Sequence, residues 1–111
     1  KKSLIDSAKD YVHRNYRSVD LGLDDTCKEL GVSNSYFSSL FKKETGSSFV
    51  EYLTDYRMDK AARMLVETDD KSYVIAQNVG YADPNYFSYV FKRKYGVSPS
   101  RYRTEYEKNK V

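Results

Sequence analysis

The chain has 111 residues and a mass of 13.0 kDa, room for one ordinary domain or two very small ones and too little for a large cofactor enzyme. Hydrophobic residues make up 40% and charged residues 32%, so the chain should fold around a thin core that leans on its aromatics, 12 Tyr and 5 Phe with no Trp. The 19 basic and 16 acidic side chains leave a net charge of +3, too mild a bias to name a partner.

Residues 3–16 read as an amphipathic helix through Leu4, Ile5, Ala8, Tyr11 and Val12, followed by a loop over 17–22. A short helix over 23–30 is closed by Gly31. Ser33 is an N-cap, so the next helix begins near Asn34, carries the apolar stripe Phe37, Leu40 and Phe41, and stops at Gly46. Ser48 and Glu51 form a Ser-x-x-Glu capping box for a long helix reaching about Val66, a rigid strut of roughly 28 Å at 1.5 Å per residue. A second short helix over 72–79 is closed by Gly80. Asp83 and Pro84 open another striped helix, with Phe87, Val90 and Phe91, which Gly96 ends; Ser98 and Pro99 open the last. The expected fold class is all-α, with about seven helices and no strand.

Laid over itself at a shift of fifty residues, the chain repeats. Tyr36, Phe37, Ser38, Phe41, Lys42, Gly46, Ser48 and Tyr52 meet Tyr86, Phe87, Ser88, Phe91, Lys92, Gly96, Ser98 and Tyr102. Each copy is a helix, a tight Gly-containing turn and a second helix, which is the helix-turn-helix pattern. Leu23, Leu30 and Val32 are the expected contribution of the first short helix and its turn to the core, with Ile75, Ala76 and Val79 their counterparts. The expected organisation is a first unit over 1–47, a linker helix over 48–66, and a second unit with the C-terminal helix over 67–111.

Several chemistries lack their residues. Cys27 is the single cysteine, so no internal disulfide forms, and it reads as a small packing residue. His13 is the single histidine, too few for a zinc site, and no Gly-rich phosphate loop or poised acid/base pair occurs. No cofactor, metal or catalytic activity is expected. With neither an apolar signal stretch nor a membrane span, the expected location is the cytoplasm.

The positive excess sits late in the chain: Lys92, Arg93, Lys94, Arg101, Arg103, Lys108 and Lys110 stand against Glu105 and Glu107. Such a run is either a solvated helix face or an electrostatic footprint for nucleic acid. The helix-turn-helix pattern favours the footprint, since an exposed second helix fits the major groove of B-DNA, about 12 Å wide. Two units on a strut of roughly 28 Å match grooves that recur every 34 to 36 Å or so. Lys42, Lys43, Lys92 and Arg93 lie toward the C-terminal ends of the striped helices and are assigned to phosphates. Phe37, Phe41, Phe87 and Phe91 belong to the core, and Arg57 to a structural ion pair on the strut. Tyr36 and Tyr86 either buttress the helix start or touch the DNA backbone, and Tyr86 is counted among the backbone contacts.

The runs from Tyr36 to Gly46, Arg57 to Ala61, Ile75 to Tyr81 and Tyr86 to Pro99 resemble the AraC/XylS family of bacterial transcription regulators, and most of all the output domains of its YesN-type response regulators. The resemblance spans roughly Leu4 to Arg103. It implies a sequence-specific, cytoplasmic domain for double-stranded DNA, attached to a sensor or receiver domain and able to touch RNA polymerase. Carried over by position, base contacts fall on Ser35, Ser38 and Ser39 in the first reading helix and on Asn85, Ser88 and Tyr89 in the second. Asn85 suits bidentate pairing with adenine, while serine hydroxyls discriminate poorly. Relatives place Arg or Gln at the Ser39 position, so the first helix is expected to read sequence weakly and the second to dominate affinity. The competing reading is a helical protein-interaction module that contacts a receiver domain or polymerase and has only non-specific DNA affinity.

Overall fold

The computed structural model describes residues 2–110. Among them are seven helices and no strand: α1 (Leu4–Asn15), α2 (Leu23–Leu30), α3 (Asn34–Thr45), α4 (Phe49–Glu67), α5 (Ser72–Asn78), α6 (Pro84–Tyr95) and α7 (Pro99–Asn109).

Local chemistry sets nearly every boundary. Ser3, Ser33, Asp83 and Ser98 each accept a hydrogen bond from a backbone N–H in the first turn of the following helix, satisfying a donor that has no partner within the helix. Ser48 Oγ accepts from the Glu51 N–H at 3.1 Å while Glu51 Oε1 accepts from the Ser48 N–H at 2.9 Å, completing the capping box of α4. Gly46 and Gly96 end α3 and α6 in left-handed backbone, φ +86° and +82°, which a residue with a Cβ enters at a cost. The bracing helices α2 and α5 close with paired backbone bonds, Val32 N–H to Cys27 C=O with Gly31 N–H to Lys28 C=O, and Tyr81 N–H to Ala76 C=O with Gly80 N–H to Gln77 C=O. Both are Schellman turns, and each delivers one side chain, Val32 or Tyr81, back over the end of its helix. Helix α5 stops one residue short of the expected Val79, which serves as its C-cap.

The chain divides into two compact units, Lys1–Tyr56 and Arg57–Val111, and the division falls inside α4 rather than at its ends. In the first unit Ile5, Ala8 and Val12 of α1 pack with Leu21, Cys27, Phe37, Phe41, Phe49 and Leu53. Phe37, Phe41 and Phe49 meet edge to face or tilted at 5.4 to 5.6 Å, the arrangement ring quadrupoles favour. Leu23, Leu30 and Val32, expected in this core, are only partly buried at its margin, because α1 supplies the apolar cover that the short helix cannot. In the second unit Met58, Ala61, Leu65, Ile75, Ala76, Val79, Phe87 and Phe91 are buried. Here α5 packs on α6 and α6 on α7.

The repeat seen in the sequence reappears as a repeat of burial. From residue 33 to 50 and from 83 to 100 the order of buried, half-buried and exposed positions is the same at every step. Helices α3 and α6 therefore sit in equivalent frames, each held by two phenylalanines and each showing the same positions to solvent.

Candidate nucleic-acid interface

Helices α3 and α6 expose one face each. On α3, Ser35, Ser39, Lys42 and Lys43 are exposed and Ser38 is half-buried; on α6 the same holds for Asn85, Tyr89, Lys92 and Arg93, with Ser88 half-buried. At helical spacing, positions 35, 38, 39 and 42 lie along one face, as do 85, 88, 89 and 92. The structure thus brings the residues assigned to bases together near the N-terminal half of each helix, with the basic pair one turn further on. Tyr36 and Tyr86 are 58% and 57% exposed and flank the polar face of α3 and α6, and of the two the sequence reading placed only Tyr86 on the DNA backbone.

The two faces differ in chemistry within the same frame. Between the caps and the basic turn both helices carry an exposed tyrosine, Tyr36 or Tyr86, and a half-buried serine, Ser38 or Ser88; α3 adds the Ser35 and Ser39 hydroxyls, whereas α6 adds the Asn85 amide and the Tyr89 ring. The Tyr86 and Tyr89 rings stack at 6.3 Å with 26° between their planes, and the Arg93 guanidinium lies over Tyr89 at 5.8 Å. On the inner side Tyr86 leans on Tyr81 at 6.0 Å. Tyr81 in turn meets the edge of Phe87 at 5.7 Å and carries the Arg57 guanidinium over its face at 5.5 Å.

Arg57 is only 8% exposed. Burial pushes its guanidinium below the ordinary value, while the adjacent Tyr81 pulls it back up. The sequence suggested a structural ion pair on the strut; here Tyr81, in the turn between α5 and α6, is a partner of Arg57 through both its ring and a side-chain hydrogen bond.

Part of the late basic run is engaged inside the second unit. Lys94 Nζ donates to Asp59 Oδ1 at 2.8 Å, beside a hydrogen bond from the Tyr95 hydroxyl at 3.0 Å. Burial alone would raise the Asp59 carboxyl, but the bonds from Lys94 and Tyr95 outweigh it and hold the group below its ordinary value. Arg103 donates from Nε to the Leu65 carbonyl at 2.8 Å and from its terminal nitrogen to that of Thr68 at 3.0 Å, capping the C-terminal end of α4. Arg101 pairs with Glu105 one turn along α7. Of the basic run read from the sequence, Lys92 and Arg93 are the exposed members that follow the polar face of α6.

The reactive-residue candidates are placed in structural roles. Cys27 is buried, and burial together with Asp24 pushes its thiol up, away from the reactive thiolate. His13 Nε2 lies 2.8 Å from the Tyr52 hydroxyl, and its ring stacks on Tyr56 at 4.6 Å. Among the described residues no cluster of three or more His, Cys, Asp or Glu side chains is arranged to hold a metal ion. No described helix is long and apolar enough to cross a membrane.

Comparison with known proteins matches residues 26–105 to a family described as a helix-turn-helix domain. The chain is 36% identical over 80 residues to the lactose operon transcription activator of Staphylococcus xylosus, a match covering 72% of the chain and 28% of that activator. Among solved structures it is similar to the C-terminal domain of AraT, a response regulator from Geobacillus stearothermophilus, with 38% identity, a TM-score of 0.91, and coverage of 94% of this chain and 86% of that one. It is similar as well to the C-terminal domain of the two-component response regulator yesN from Fusobacterium nucleatum, at 36% identity and a TM-score of 0.85, covering 86% and 93% of the two chains.

Proposed function

The chain belongs to the AraC/XylS family of helix-turn-helix DNA-binding domains, and on that premise we propose that it reads double-stranded DNA with α3 and α6, each in a major groove, as the output end of a bacterial transcription regulator. The observation that carries this reading is the pair of exposed helices in identically buried frames, each with polar side chains leading and a basic pair following. Ser35, Ser38, Ser39, Asn85, Ser88 and Tyr89 face base edges; Lys42, Lys43, Tyr86, Lys92 and Arg93 face the sugar-phosphate backbone. In a longer regulator, a sensor or receiver domain supplies the signal and RNA polymerase receives the output, in the cytoplasm where the DNA lies.

A protein-docking reading of the basic tail would lean on Lys94, Arg101 and Arg103. Their engagement with Asp59, Glu105 and the end of α4 favours DNA over an acidic protein partner.

Selection of bound duplexes from a random pool, followed by footprinting of the winner at two salt concentrations, tests the proposal. Two protected patches about one helical turn apart on one face of the duplex are expected. Absence of any enriched sequence, with binding that vanishes in modest salt, would leave only electrostatic attraction and refute sequence reading. Reversal of charge at Lys92 and Arg93 should weaken binding to every duplex and flatten the salt dependence by roughly two log units per log unit of salt.

A further inference from the structure

We infer that the second unit contains a ladder, Arg57, Tyr81, Tyr86, Tyr89 and Arg93, that orders the reading face of α6 before DNA arrives, with Tyr89 as a specificity-determining side chain and Tyr81 as the residue that positions it. This rests on the DNA-reading role proposed above and adds how one helix achieves its selectivity.

An exposed tyrosine on a helix hops between rotamers, and a side chain that is ordered only on binding subtracts that entropy from affinity. Tyr89, 57% exposed, would be such a residue in isolation. Here its ring has a neighbour on each side, Tyr86 at 6.3 Å and the Arg93 guanidinium at 5.8 Å. Positions 86, 89 and 93 follow the i, i+3, i+7 ridge of a helix, so these three side chains line up along α6. The ridge is founded in the interior of the unit. Tyr86 leans on Tyr81, and Tyr81 is held by the edge of Phe87, which is fully buried, and by the nearly buried Arg57. The Schellman turn that closes α5 brings Tyr81 to this place, because its N–H bonds back to the Ala76 carbonyl at 2.9 Å.

The first unit supplies an internal comparison. At the matching point of its Schellman turn it has Val32 where the second has Tyr81, and in the matched frame that follows it has Ser39 where the second has Tyr89 and Lys43 where it has Arg93, while Tyr36 matches Tyr86 in kind and exposure. With no ring at positions 32 or 39, the aromatic ladder belongs to the second unit alone. A tyrosine that is ordered in advance presents one fixed shape to the bases, so the wrong sequence is penalised rather than accommodated.

The test is a double-mutant cycle read by affinity for the selected duplex and for a scrambled one. Tyr81→Val, which installs the first unit's own residue, should weaken binding to the selected duplex by about three- to tenfold, while Tyr81→Phe, which keeps the ring and gives up only the hydroxyl's bond to Arg57, should lose distinctly less. The scrambled duplex should be bound almost equally by the parent, Tyr81→Val and Tyr81→Phe. In a Tyr89→Ala background, Tyr81→Val should cost little more. Additive losses, or Tyr81→Phe as weak as Tyr81→Val, overturn the ladder. Thermal melts accompany each variant. If Tyr81→Val does not fold, the cycle moves to Tyr86→Leu and Tyr89→Ala, both at exposed positions, and an interaction smaller than about twofold overturns the ladder there. A parent protein that fails to distinguish selected from scrambled DNA refutes the DNA-reading proposal itself, an outcome separate from additivity in a parent that does.

Discussion

Thr26 and Ile75 occupy the same place in the two bracing helices, and both are fully buried. Ile75 brings only hydrocarbon there, whereas the Thr26 hydroxyl has no hydrogen-bond partner. A buried unpaired hydroxyl costs on the order of 1 kcal/mol or more, so Thr26→Val should raise stability by about 1 kcal/mol in urea denaturation, with the denaturant slope unchanged. A second expectation concerns Asp59, whose folded-state pKa is depressed. Its stabilising contribution is complete at neutral pH and is lost as pH falls through the folded pKa, below the ordinary carboxylate value of about 4. Thermal melts from pH 6 to pH 2.5 should therefore show a steeper acid loss in the parent than in Asp59→Asn. At this scale the sequence was least transparent. Lys94 and Arg103 looked like part of one basic surface, but their partners, Asp59 and the carbonyls of Leu65 and Thr68, lie 35 or more residues away, and no local spacing announces such pairings.

Helix boundaries were legible because the forces that set them are local. A Ser or Asp at an N-cap, Pro in the first turn and Gly past the last turn act within four residues, so α3, α4, α6 and α7 begin where their punctuation says. The glycines offer a clean test. At Gly96 the backbone is left-handed, and an added Cβ would meet nothing within 4 Å, so Gly96→Ala carries conformational strain without a clash. It should cost about 1 kcal/mol in thermal or chemical denaturation, and a much larger loss would point to packing instead. Less legible was the division of the long helix. Periodicity marks α4 as one continuous element, and only tertiary packing reveals that its first half joins the core with Phe37 and Phe41 while its second half carries Arg57, Asp59 and Leu65 to the other unit. In the candidate interface, exposure along α3 and α6 followed from the stripe, since what does not pack must face outward. The stacking that links Tyr81 to Tyr89 did not, because it depends on where a turn aims a ring.

Across the whole molecule, charge is unevenly shared between two units of the same design. Residues 1–56 hold eight basic and nine acidic side chains, and residues 57–111 hold eleven and seven. The first unit is thus slightly acidic and the second distinctly basic, with Asp24, Asp25 and Glu29 on α2 against no acidic residue on α5. Non-specific affinity should accordingly reside mainly in the second unit. Reversal of Lys92 and Arg93 to Glu is expected to lower binding to scrambled DNA more than the same reversal at Lys42 and Lys43, measured by fluorescence anisotropy at two salt concentrations. Equal losses would show that net charge of a unit does not govern its grip.

The matched burial of residues 33–50 and 83–100 has a consequence for how such a protein changes over time. Packing constrains the inward positions of both copies alike, whereas the outward ones have already diverged, Ser35 against Asn85 and Ser39 against Tyr89, without disturbing the frame. Exchanging those outward residues between copies should alter which bases are preferred and leave the melting temperature nearly untouched. With the inward positions fixed, an outward residue of one copy can change while the frame and the outward face of the other copy stay as they are.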